Sequence, residues 1–172
     1  MALSITSREQ FEVYRFNPVV AIAVPLLAIF IQAYLPLKVS FFNIFDLPLL
    51  VTIFFAVARR NPIAGLLTGM IIGLVQDSLT HSFLGLFGIS KTVVGFAASS
   101  LGVKIDVENP GSRLLMAAGF YLVQKIVYFV VARGMAGMEM PLDLPHSFGA
   151  ALANGFLAIV LFALLDKTKQ RS

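Results

Sequence analysis

The chain has 172 residues, 58% of them hydrophobic and only 13% charged, with a formal charge of +4 and a mean hydropathy of +0.88. A soluble domain is about 45–50% apolar and about 25% charged, and one of this length has too little interior to hide the excess, so a soluble fold is excluded. No cysteine is present, which excludes a disulfide framework and thiolate metal sites, and no basic run interleaved with aromatics points to nucleic acid.

Residues 1–17 are largely polar and read as an N-terminal segment rather than a signal peptide, because no small-x-small cleavage site follows the first apolar run. Thr6 to Glu9 has the form of a capping box for a short helix, with Phe11, Tyr14 and Phe16 at the membrane surface; a frayed polar tail is the alternative. Six apolar segments follow, at about 18–36, 41–58, 62–79, 83–103, 113–133 and 147–166. Each is near the roughly 20 residues that a helix needs to cross the hydrocarbon. Backbone groups cannot stay unpaired in lipid, so the spans are expected to be helices. The expected fold is an all-α integral membrane protein, a compact bundle of about six transmembrane helices over 18–166, with a short tail at 167–172.

Lys and Arg give the direction. One side receives Arg8, Arg15, Arg59, Arg60, Lys104, Arg113, Lys167, Lys169 and Arg171; the other receives Lys38 and Arg133; Lys91 and Lys125 lie inside spans. This bias predicts a multi-pass protein of the cytoplasmic membrane with both termini cytoplasmic.

Along the spans, small residues form stripes. Gly65, Gly69 and Gly73 repeat every four residues in the third, and Gly88, Thr92, Gly95 and Ser99 share a face of the fourth, just after Gly85. Small-xxx-small spacing lets helix backbones approach closely. Internal helix packing is the expected use of these glycines, with a homodimer or partner-binding face as the alternative.

Polar residues inside spans are costly and face the bundle interior. Gln32, Asp46, Gln76, Asp77, Lys91, Gln124, Lys125 and Asn154 all fall in the half away from the cytoplasm. An ion-pair network around Asp77, Lys91 and Lys125 is expected, with Asp46 as a further member. On that reading Lys91→Met or Asp77→Leu lowers folded yield more than the paired change does. The network has three readings: a structural one, a hydrated cavity for a small solute, and a proton or ion relay. A relay is disfavoured because the polar residues stop midway through the bilayer.

No catalytic apparatus is expected. Asp46 and Asp77 lack the glycine-flanked setting of an aspartyl protease dyad, and no phosphate loop, nucleophile elbow or dinucleotide fingerprint occurs. His81 and His146 fall in loops without metal-ligand spacing, so no metal or other cofactor is implied. Met135, Met138 and Met140 suit a flexible apolar loop better than a copper site.

The stretch from Gly65 to Phe96 carries a resemblance. A glycine-rich span ends in Asp77, a polar turn follows over 78–82, and Leu84–Gly85 opens the next span. This order resembles the bacterial rod shape-determining protein MreD family. The resemblance implies a non-enzymatic inner-membrane scaffold or regulator of the cell-elongation machinery that supports peptidoglycan synthesis. It implies MreC as the partner, with MreB, RodA and a class B penicillin-binding transpeptidase in the wider complex. It also implies a fold similar to the substrate-binding subunits of energy-coupling-factor transporters. A vitamin-type solute-binding subunit with a polar pocket is therefore the alternative function.

Overall fold

The computed structural model describes residues 14–80, 82–102, 109–139, 143–168 and 170–171. The Thr6–Glu9 capping box, Phe11, His81, Lys104, Met140 and Lys169 lie outside them.

Six helices follow one another: α1 (Pro18–Lys38), α2 (Leu47–Arg59), α3 (Pro62–Leu79), α4 (Leu86–Leu101), α5 (Pro110–Gly134) and α6 (Leu144–Asp166). Their starts follow one local rule. Asn17, Asp46, Asn61, Asn109 and Asp143 each accept a backbone N–H of the first turn through the side chain, and a proline stands at the first or second helical position. An Asn or Asp cap satisfies an orphan donor, and proline there loses no hydrogen bond. Helix α4 breaks the rule: its N-cap is Gly85, at φ +102°, which offers no side chain.

Two spans differ from the sequence expectation. The segment expected at 41–58 is broken, with a 3-10 turn over Ser40–Ile44 and the α-helix beginning only at Leu47. The Asp46 carboxylate accepts the Leu49 N–H, and that cap fixes the start of α2 there. Helix α4 has 16 residues rather than the expected 83–103, because the chain through Ser82–Gly85 is spent on a turn. The other five segments, counting Ser40–Arg59 as one, are long and apolar enough to cross a membrane.

Helix α2 is the axis. Every residue from Pro48 to Ala58 is buried, and α2 touches all five other helices. The outer helices turn large apolar side chains outward, among them Leu27, Phe30, Ile71, Phe96, Ile126 and Phe156. An interior that is apolar with an exterior that is equally so suits lipid as the solvent.

The closest contact is between α3 and α4. A Cβ at Gly65, Gly69 or Gly73 would overlap the backbone oxygens of Gly95, Lys91 and Phe87 respectively, and one at Gly95 would overlap Gly65 O. The glycine faces are thus occupied by each other within one chain, which leaves them closed to a second copy. At the other end of the chain, β1 (Tyr14–Arg15) pairs antiparallel with β2 (Gln170–Arg171). The pairing brings both ends of the described chain to one side of the bundle.

Candidate functional site

At the end of the bundle away from the termini, polar side chains from five helices meet on Asp46. Its carboxylate is presented inward because the same residue caps α2. Lys91 Nζ, wholly buried, donates to Asp46 Oδ1 at 3.1 Å, to Oδ2 at 2.9 Å and to Gln124 Oε1 at 2.8 Å. Gln124 Nε2 donates to Asp46 Oδ2 at 2.6 Å. With the Leu49 N–H at 2.9 Å, each carboxylate oxygen accepts two donors, so its lone pairs are filled. The Asp46 N–H donates to Asn154 Oδ1 at 2.9 Å, and Asn154 Nδ2 donates to the carbonyls of Ile44 and Ala150. Gln32 Oε1 accepts the Leu47 N–H at 3.1 Å. The knot joins α1, α2, α4, α5 and α6.

The network differs from the expectation that centred it on Asp77 and both lysines. Asp77 pairs with neither. Its Oδ2 accepts the N–H groups of Gly85 and Gly88 at 2.9 and 3.0 Å, and its Oδ1 accepts that of Phe87 at 3.0 Å. It is the cap that Gly85 cannot supply, delivered from the end of α3. The first turn of a helix carries unpaired donors and a partial positive charge, so a carboxylate held beside it is claimed before any lysine reaches it. Lys125 also lies outside the knot. It is exposed, with its Nζ 5.6 Å from the Tyr121 ring centroid. The partner of Lys91 is Asp46, so the single-versus-paired test belongs to those two residues.

A cavity of about 810 Å³ opens beside the knot, between α1, the 3-10 turn, the α3–α4 connection and α5. Asp46, Gln76, Gln124, Lys125, Tyr121 and Tyr128 are in its wall. Gln76 is only 2% exposed, and its Oε1 has no hydrogen-bond donor among the described residues. The sequence placed Gln76 in the network; in the structure it stands alone on the wall.

With its lone pairs filled and Lys91 beside it, Asp46 ties α4, α5 and α6 to the start of α2. His146 is exposed on the first turn of α6, where its N–H reaches Asp143 Oδ1, and Met135 is exposed after α5. Among the described residues no three His, Cys, Asp or Glu side chains gather as a metal site.

The sequence missed the division of labour between the two aspartates. The signal lay in the recurrent Asx-then-proline starts, which mark Asp46 as a cap and show α4 as the one helix without its own.

The model of the family described as rod shape-determining protein MreD matches residues 14–168. No curated protein and no solved structure matches the chain, so the expected likeness to energy-coupling-factor subunits is not shown. The match spans nearly the whole chain, and the protein belongs to the MreD family.

Proposed function

We propose that this MreD-family protein is a non-enzymatic scaffold of the bacterial inner membrane that binds MreC and supports peptidoglycan synthesis during elongation, with MreB, RodA and a class B penicillin-binding transpeptidase in the wider complex. The family match over residues 14–168 carries the reading. The geometry is in keeping with it: the buried ions are saturated, and side chains from every helix meet in the knot or in the Asp77 cap. Such a bundle presents partners with one fixed surface. Both termini lie in the cytoplasm on this reading, as the Lys and Arg bias supports, with 1–17 and 167–172 flanking the transmembrane domain.

The test is depletion in a rod-shaped bacterium together with affinity purification of the tagged protein from its membranes. Rounding of the cells and co-purification of MreC are expected. Cells that keep their rod shape without the protein, and a purified sample without MreC, would overturn the reading.

A further inference from the structure

We propose that the cavity beside Asp46 binds a phosphate ester carrying free hydroxyls, the chemistry shared by a phosphatidylglycerol headgroup and free glycerol phosphate. The inference is independent of the role in cell shape.

Two unmet groups in the cavity wall define the ligand. The first is Lys125. It lies nine residues before the end of α5, roughly 14 Å in at 1.5 Å per residue. Lys91 is matched by Asp46 and Asp77 by three backbone N–H groups, but Lys125 has no anionic partner among the described residues. An ammonium at that depth is costly unless water or an anion meets it, and the Tyr121 ring, 5.6 Å away at its centroid, offsets only part of the cost. The second is Gln76, whose buried Oε1 accepts nothing. That oxygen can only accept, so the ligand must bring a donor as well as a negative charge. A bare phosphodiester has no donor; a hydroxyl-bearing one has both.

The rest of the wall agrees. The Asp46 carboxylate is filled and neutralised, so it neither claims a cation nor leaves an uncompensated charge against an anion. A lysine ammonium is a compact charge that suits phosphate oxygens. Phe30, Phe45, Leu79 and Phe87 supply apolar wall for a glycerol backbone and the start of an acyl chain. Helix α1 packs on α2 and α3 but touches neither α4 nor α5, so an interhelical gap flanks the cavity on the side where a lipid would enter. The volume lies within the range of about 300–1,000 Å³ usual for ligand sites.

The test uses the intact purified protein and three probes: phosphatidylglycerol, phosphatidylcholine, whose headgroup has no N–H or O–H donor, and free glycerol phosphate. Native mass spectrometry reads lipid retention. Intrinsic emission reads the soluble probe, because the chain has no tryptophan and Tyr34, Tyr121 and Tyr128, three of its four tyrosines, line the cavity. Retention of phosphatidylglycerol at least tenfold above phosphatidylcholine is expected. It should fall about tenfold in Lys125→Gln and in Gln76→Leu, and survive in Lys125→Arg. Lys125→Glu, a reversal at an exposed position, gives the same loss should Gln76→Leu not fold. Binding of glycerol phosphate alone assigns a water-soluble source, and binding of the lipid alone a membrane one. Equal retention of the two lipids without binding of glycerol phosphate, binding of either phosphate probe indifferent to the Lys125 variants, or no binding of either phosphate probe would overturn the proposal.

Discussion

Removing one partner from the Asp46–Lys91 pair should cost more than removing both charges. In Lys91→Met the carboxylate of Asp46, a residue only 7% exposed, keeps only the Leu49 N–H and Gln124 Nε2, having lost two of its four hydrogen bonds and its counterion. Breaking a buried pair from one side costs about 3–5 kcal/mol, because an uncompensated charge is left behind. In Asp46→Asn the ammonium is stranded instead, at 0% exposure, while asparagine preserves the cap of α2; a loss of similar size is expected. In the double variant neither charge remains. It should recover at least about 2 kcal/mol relative to the sum of the single losses, within the range of coupling for residues in contact. Folded yield by size exclusion, and thermal unfolding of all four proteins in one detergent, measure the cycle. Single losses that simply add in the double variant would refute the pairing as the source of the stability.

Three further outcomes follow from the same geometry. Asp77→Ala should speed amide exchange at Gly85, Phe87 and Gly88 and cost about 1–2 kcal/mol, the usual worth of a helix cap; unchanged exchange there would remove Asp77 from the cap. Gly69→Ala should lower folded yield sharply, because its Cβ meets the Lys91 backbone, whereas Gly119→Ala, with nothing within 4 Å, should not; equal yields would deny the α3–α4 contact. The natural absence of cysteine makes single-cysteine labelling free of background. Asn17→Cys and Thr168→Cys should react from one side of the membrane and Gly137→Cys from the other, and labelling of Asn17→Cys and Thr168→Cys from opposite faces would contradict the β1–β2 pairing.

The six-helix bundle was legible because it depends on sums over many residues, which hydropathy captures. The glycine stripe was legible for a similar reason: three glycines at one spacing mark a close-packing face, although the spacing left a second copy or a partner as the alternative to the α3–α4 contact that the structure shows. Partner choice among four ions was not. Depth along an ideal helix put Asp77, Lys91 and Lys125 all in the outer half, but depth says nothing of azimuth, and it is Gln124 rather than its neighbour Lys125 that reaches Lys91. Nor did depth reveal competition from the backbone. Asp77 stands at the end of α3 where the uncapped start of α4 folds back against it, and three N–H donors at about 3 Å are closer than any lysine. Asp46 looked like a residue inside a span until the 3-10 turn moved the helix start to it.

These local choices act in series. The glycines let α3 and α4 touch backbone to backbone, and Asp77 pins the first turn of α4 to the last turn of α3. Together they fix both the rotation and the height of α4, and so the point from which the Lys91 side chain leaves it. Only from that point does a buried ammonium reach Asp46 and Gln124 at once. The stretch that resembles the MreD family is thus the frame, and the knot is what the frame makes affordable: a charge with no exposure in an apolar bundle stays charged only if its partners stand ready before it arrives. The asymmetry has a consequence for substitutions. Loosening the frame at Gly69 or Asp77 should weaken the knot as well, whereas neutralising the knot at Asp46 and Lys91 together should leave the α3–α4 contact standing.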